Sequence, residues 1–375
     1  MAPMSKPNLR LERPDLALRG PPLHADAPPP VLGDAPRRSR VTVSRQRTRC
    51  HVGQRSRFSN ACPSCGNPLN VTSDRIGKRP HRFEDLAFQC DACGVGFSNS
   101  SNPAGLRRIY RDPRDNVPPE VRDGLLEVLG HAVNVRNRPA KRFKFGSSRS
   151  EDALIWTIFE GLRKSGRLDA VLPPTSRTLA AASAPVVLAW GHPVAGNDAD
   201  HVADVLQAVS HELGENPRSR SEPDMVLPWS SLIVFVEVKL DSANDLQPEH
   251  KSFPRYVDQD RDLYAAPDGV ATTGFYELTR NWTTAVRLAA VLGRPMLLVN
   301  LGPAALDNDA DIFSSLLVQD DRRRFAHRTW DEVLEDAAPL APWLTAYIRC
   351  LGLPAAPSGG SPRSRLSHSD PFPHD

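Results

Sequence analysis

Glu222-Pro223-Asp224-Met225-Val226-Leu227, followed by Leu232-Ile233-Val234-Phe235-Val236-Glu237-Val238-Lys239, is the stretch on which the reading of this chain turns. An aspartate opens one apolar run, and a Glu-x-Lys pair closes the next. Side chains alternate along a strand, so Glu237 and Lys239 share a face of the second run. If the two runs pair as a hairpin around Ser230-Ser231, Asp224 falls opposite Glu237. Two carboxylates and an ammonium then meet at one spot. That trio suits metal-dependent phosphodiester hydrolysis: the carboxylates hold a divalent cation, and the lysine orients or activates a water and neutralises phosphate charge. An exposed edge-strand pair is the alternative. Against it, Leu232, Val234, Val236 and Val238 point one way, while Ile233 and Phe235 share the other side with Glu237 and Lys239. Charges deep in a strand that is apolar on both faces are expensive unless a site needs them.

The flanking sequence reads as α/β. Ser148-Arg149-Ser150-Glu151 matches a capping box, and Leu154, Ile155, Ile158, Phe159 and Leu162 follow at helical spacing. Pro185-Val186-Val187-Leu188-Ala189-Trp190 reads as a short buried strand. Residues 198–214 read as a helix closed by Gly214. Residues 276–292 read as a helix with one apolar face, ended by Gly293-Arg294-Pro295. Met296-Leu297-Leu298-Val299-Asn300-Leu301 reads as a strand buried inside a sheet. Residues 330–334 look like the start of a last helix, and one more helical stretch is expected near 119–133.

Upstream, Cys62-Pro63-Ser64-Cys65-Gly66 is followed by Cys90-Asp91-Ala92-Cys93-Gly94. Each pair fits a knuckle, with a glycine where a left-handed turn lets backbone amides face the sulfurs. Four thiolates satisfy tetrahedral Zn²⁺, and such a closed site is structural. The pattern resembles a zinc ribbon over residues 60–98. Arg75, Lys78, Arg79, His81 and Arg82 lie between the knuckles with Phe83 and Phe88, an interleaving that suits nucleic-acid contact. A folding unit or a protein-docking module is the other reading. Cys50 and Cys350 are left over as ordinary thiols.

Over roughly residues 146–335 the chain resembles the PD-(D/E)XK nuclease superfamily, the restriction-endonuclease-like fold. The residues that carry the resemblance are Glu222-Pro223-Asp224 with Glu237-Val238-Lys239 and the gap of 12 between the acids. The resemblance implies a mixed central sheet flanked by helices. It implies that Asp224 and Glu237 coordinate Mg²⁺ or Mn²⁺ and that Lys239 positions the attacking water. It implies a further acid from the preceding helix, a place that Glu151 fits, and a supporting polar residue, for which Gln259 is the choice. Arg280 is a further candidate for a phosphate contact. Glu151 also has a plain alternative role, reaching back to the Ser148 amide within the capping box. The implied activity is that of a metal-dependent endonuclease acting on DNA, in restriction or defence, mobile-element or repair settings. A homodimer or a subunit of a larger complex is expected. A ribonuclease on the same fold and a non-catalytic nucleic-acid-binding or scaffold protein are the alternatives.

Charge along the chain agrees with a nucleic-acid partner. The net charge is only +3, yet residues 1–60 hold 11 Arg and 1 Lys against 4 acids. Residues 101–150 hold 11 basic against 5 acidic side chains. Arginine clusters of this kind seek phosphate. No segment reaches about 18 uninterrupted apolar residues, so no membrane span is expected, and no apolar leader opens the chain. The expected location is the cytoplasm, where paired CxxC motifs point to metal. Five segments follow: a disordered basic arm over 1–48, a zinc ribbon over 49–100, a basic connecting region over 101–145, the nuclease domain over 146–350, and a disordered tail over 351–375. Two decoys fall away. The 191–196 stretch, Gly191-His192-Pro193-Val194-Ala195-Gly196, lacks the Lys-Ser/Thr of a phosphate loop, and His201, Asp204, His211 and Glu212 lack HExxH spacing.

Overall fold

Val238 and its neighbours decide the architecture. All six residues of the strand Ile233–Val238 are buried. Their alternation divides the protein into two cores: Leu232, Val234, Val236 and Val238 join one apolar cluster, and Ile233 and Phe235 join the other. A strand buried on both faces needs a helical layer on each side. The computed structural model describes residues 61–100, 106–180, 183–240, 242–244 and 246–353, and it is a mixed α/β fold of this kind. The basic arm and the tail beyond residue 353 lie outside the described residues.

Among the described residues the strands, in chain order, are β1 (Asn70–Val71), β2 (Phe88–Cys90), β3 (Val95–Phe97), β4 (Arg108–Tyr110), β5 (Val187–Ala189), β6 (His192–Ala195), β7 (Met225–Pro228), β8 (Ile233–Val238), β9 (Met296–Gly302) and β10 (Arg323–Thr329). They form two sheets: β1-β2-β3-β4, and a mixed six-stranded sheet ordered β10-β9-β8-β7-β5-β6. β7 and β8 pair antiparallel, with Met225 beside Val236 and Pro228 beside Ile233. The Trp229 amide donates to the Leu232 carbonyl at 2.8 Å and closes the expected turn. β8, β9 and β10 run parallel.

The helix Glu151–Lys164 covers one face together with Trp330–Asp336 and Pro342–Cys350. Ala199–Glu212 and Tyr276–Leu292 cover the other. The helices expected near 151–162, 198–214, 276–292 and 330–334, the hairpin and the central strand stand where the sequence places them.

Several places differ. The 191–196 stretch is the turn and second strand of the β5–β6 hairpin; Trp190 and Gly191 both take positive φ, 50° and 75°, as a tight two-residue turn demands. β10 was not anticipated, because Arg323-Arg324-Phe325-Ala326-His327-Arg328-Thr329 is a polar, partly exposed edge strand. The helix expected near 119–133 is a 3₁₀ turn, Pro119–Val121, then a helix, Leu125–His131, parted by Gly124 at φ 74°. The region read as a connector also packs into the main core. Val117, Val121, Leu125, Val128 and Leu129 join that cluster, and Trp156 donates to the Val121 carbonyl at 2.6 Å. The ribbon sheet extends past residue 100 to β4. Cys350 is in a disulfide rather than the plain thiol expected.

Candidate functional site

Asp224 directly precedes β7. Continuing the β7–β8 register by one step sets it opposite Glu237. Its alternation partner Val226 faces the same core as Ile233 and Phe235, so Asp224, Glu237 and Lys239 share one face of the sheet. They lie at the carboxyl end of β8, where sheets of this kind bind ligands. Asp224 Oδ2 accepts from the Val238 amide at 2.8 Å. Glu237 Oε1 accepts from Lys239 Nζ at 2.8 Å, and Oε2 accepts from Asn281 Nδ2 at 2.8 Å. Lys239 Nζ also donates to Glu277 Oε2 at 2.7 Å. Trp330 Nε1 donates to the Lys239 carbonyl at 2.9 Å and fixes the strand end.

The electrostatics follow from crowding. Burial, then the charge on Glu237, raises the Asp224 carboxyl well above the usual carboxylate range. Burial and then Glu277 raise Glu237. Burial also opposes charge on Glu277, but Lys239 and Arg280 outweigh it and hold that carboxyl low. For Lys239, burial is outweighed by Glu237, Glu277 and Asp224, so the ammonium keeps its proton. Two buried carboxyls whose ionisation is opposed by burial and by neighbouring carboxylates make a place where a cation would be favoured.

The donor set suits Mg²⁺ in one respect: that ion commonly takes one or two protein carboxylates and fills its shell with water and phosphate oxygens. No three-acid cage forms among the described residues. Among the described residues only the four ribbon cysteines bring three or more such ligand atoms within 4.8 Å of one another.

Glu151 does reach the end of β8. Its Oε1 accepts from the Leu240 amide at 3.0 Å and from Ser242 Oγ at 2.6 Å. The capping box does not form. Ser150 is the cap, accepting from the Ala153 amide at 3.2 Å, because the helix starts at Glu151 itself. Gln259 is not brought to the others. It is exposed, and its Oε1 accepts from Arg287 Nη2 at 3.0 Å. Arg287 stands ten residues past Glu277, about 15 Å along the helix. Arg280 lies against Asn281 Oδ1 at 3.3 Å.

Sequence reasoning missed Glu277 and Asn281. They are four apart on one helix face, which was the available signal. It also passed over Asn300 inside an otherwise apolar strand. Asn300 is paired in register with Glu237, has no exposure, and its carboxamide has no protein partner. His327 is next in the row, with Nδ1 2.7 Å from the Asn300 carbonyl oxygen and Nε2 3.3 Å from the Asp307 carboxylate.

In the ribbon, Cys62 Sγ lies 3.7 Å from Cys93 Sγ, and Cys65 Sγ lies 3.5 Å from Cys90 Sγ. Four sulfurs about 2.3 Å from a tetrahedral centre would sit about 3.8 Å apart, so the set could hold a metal ion such as zinc. Gly66 and Gly94 take φ of 77° and 66°, the knuckle conformation expected. The aromatics between the knuckles do not form a stacking surface: Phe83 and Phe88 are 6% and 5% exposed and belong to the ribbon's own cores. Lys78, Arg79, His81 and Arg82 are exposed. His201, Asp204, His211 and Glu212 lie exposed on their helix.

No described helix is long and apolar enough to cross a membrane. No family model, curated protein or solved structure matches the chain.

Proposed function

We propose that the protein is a metal-dependent nuclease that hydrolyses phosphodiester bonds in DNA. The observation that carries the reading is Lys239, buried between Glu237 and Glu277 on the sheet face shared with Asp224. Asp224 and Glu237 would hold Mg²⁺ or Mn²⁺, with Glu151 at the margin; the cation, when bound, supplies charge stabilisation at the phosphate and an acidified water. Lys239 keeps its proton, so its part is to donate hydrogen bonds to the attacking water and offset phosphate charge, not to act as a base. Glu277 and Asn281 hold Lys239 and Glu237 in place.

Element order supports the same reading. From the helix Glu151–Lys164 through β5, β7, β8 and the helix Tyr276–Leu292 to β9, with β6 and further helices interposed, the elements build a mixed sheet flanked by helices, the architecture that the restriction-endonuclease resemblance implies. The ribbon cysteines would bind structural Zn²⁺, and the exposed basic side chains of the ribbon would contact phosphates without reading sequence. One observation favours the non-catalytic alternative: both Glu237 oxygens already have protein partners.

Cleavage separates the two. Supercoiled plasmid and an RNA of matched sequence are incubated with wild-type protein and with Asp224→Asn, each shown folded by circular dichroism. The expected result is Mg²⁺-dependent relaxation of the plasmid, abolished by chelator, and slowed about a hundred- to a thousand-fold by Asp224→Asn. No cleavage by either folded protein would leave a binding protein, and equal cleavage by both would remove Asp224 from the site. Faster loss of the RNA would make it a ribonuclease.

A further inference from the structure

The helix Arg138–Phe145 lies in the stretch read as a connector, yet it reaches three places at once. Phe145 is fully buried in the main core. Phe143 packs on Phe83, Leu86 and Ile109 of the ribbon. Lys141 turns inward, toward the segments that carry the site acids. Its ammonium lies 2.8 Å from the Asp152 carboxylate and 3.2 Å from that of Glu222, and 4.6 Å from the centroid of the Trp190 ring.

Both acids it grips are next to acids of the candidate site. Asp152 follows Glu151 in the chain, and Glu222 stands two residues before Asp224. Each of those neighbours is tied in turn to the end of β8. Glu151 accepts from the Leu240 amide, and Asp224 accepts from the Val238 amide. Glu222 is further fixed by the Asn134 amide at 2.9 Å. Lys141 therefore joins the two segments whose acids hold the backbone amides at the end of β8. A side chain this buried is costly to charge unless it is paired, and a plain connector needs no such group.

We propose that Lys141 is a positioning residue: by clamping Asp152 and Glu222 it sets where Glu151 and Asp224 stand relative to Glu237. The inference rests on the nuclease reading of that site. Lys141 itself touches neither the cation nor the substrate. The segment over 101–145 is then part of the catalytic unit and not a tether between two modules.

The test is Mn²⁺ binding to the full chain, followed by electron paramagnetic resonance, for wild type, Lys141→Met, Lys141→Met with Asp152→Asn, and Lys141→Arg. Charge and geometry pull in opposite directions. Losing a nearby positive charge would by itself tighten cation binding, and the paired substitution leaves net charge unchanged. The expected result is affinity at least about tenfold weaker in both methionine variants, a loss of about 1.4 kcal/mol, with most of the affinity kept by Lys141→Arg. Lys141→Gln replaces methionine if folding fails. Folded variants that bind Mn²⁺ as wild type does would overturn the inference and leave the nuclease reading standing. A wild-type protein that binds no Mn²⁺ would sink both.

Discussion

Lys239→Met is expected to lower stability by about 3–5 kcal/mol, the loss seen when one partner of a buried ion pair is removed. For a domain of this size that is a fall in melting temperature of about 6 °C or more. Lys239 is 7% exposed and is the shared partner of Glu237 and Glu277, with Asp224 close by. Methionine keeps much of the stem's volume but leaves the carboxylates without their cation. Adding Glu277→Gln removes one of them, so the double variant should recover part of the loss, and the two effects should be non-additive. The stabilisation has a definite pH range. The folded-state pKa of Lys239 is raised, so its contribution is complete below the ordinary lysine value near 10.4 and is lost only as pH climbs through the folded value. Lys239 also lowers the pKa of Asp224, Glu237 and Glu277, so without it those carboxyls take up protons more readily, and the gap between wild type and variant in thermal melts should be largest at pH 9 and narrow toward pH 6. A drop of under about 1 kcal/mol would mark Lys239 as an ordinary solvated pair.

If the four ribbon cysteines hold a metal ion, its removal should have the other large effect. The ribbon has two small cores. One is Cys62, Ala87, Phe88, Cys90, Val95 and Phe97; the other is Phe83, Leu86 and Ile109. A module this small does not bury enough apolar surface to stand without a cross-link or a metal. Structural zinc contributes on the order of 10 kcal/mol to such units. Elemental analysis is expected to give one zinc per chain, and Cys90→Ser to give none. In hydrogen exchange, Cys90→Ser should lose protection across β1 to β4 while β7, β8 and β9 keep theirs. Because Phe143 packs on the ribbon core, protection should also fall in the helix Arg138–Phe145. A zinc-free protein with its ribbon amides still protected would refute the structural role.

The central sheet was legible because its strands state their burial in their own residues. Val-Phe-Val flanked by Leu-Ile on one side and Glu-Val-Lys on the other leaves little choice but a two-sided core with charge at its end. The cysteine knuckles were legible because sulfur spacing and the following glycine are local. What escaped was non-local. Glu277 and Asn281 carry no motif, and only the packing of their helix over β8 brings them to Lys239 and Glu237. Lys141 looked like one more member of a basic run, and its partners Asp152 and Glu222 are 11 and 81 residues away in sequence. β10 escaped because an edge strand is allowed to be polar. Gln259 was placed by analogy of position alone, and the fold turns it toward Arg287 instead.

If Asp224 and Glu237 share a divalent cation, anomalous diffraction from a Mn²⁺-soaked crystal shows it directly. At pH 8, one peak should lie within about 2.0–2.6 Å of an oxygen of each carboxylate. Both groups have raised pKa values, so protons should displace the ion at a pH where ordinary carboxylates are still charged, and the peak should fade on acidification. No peak there, with density only at exposed acids elsewhere, would contradict the account.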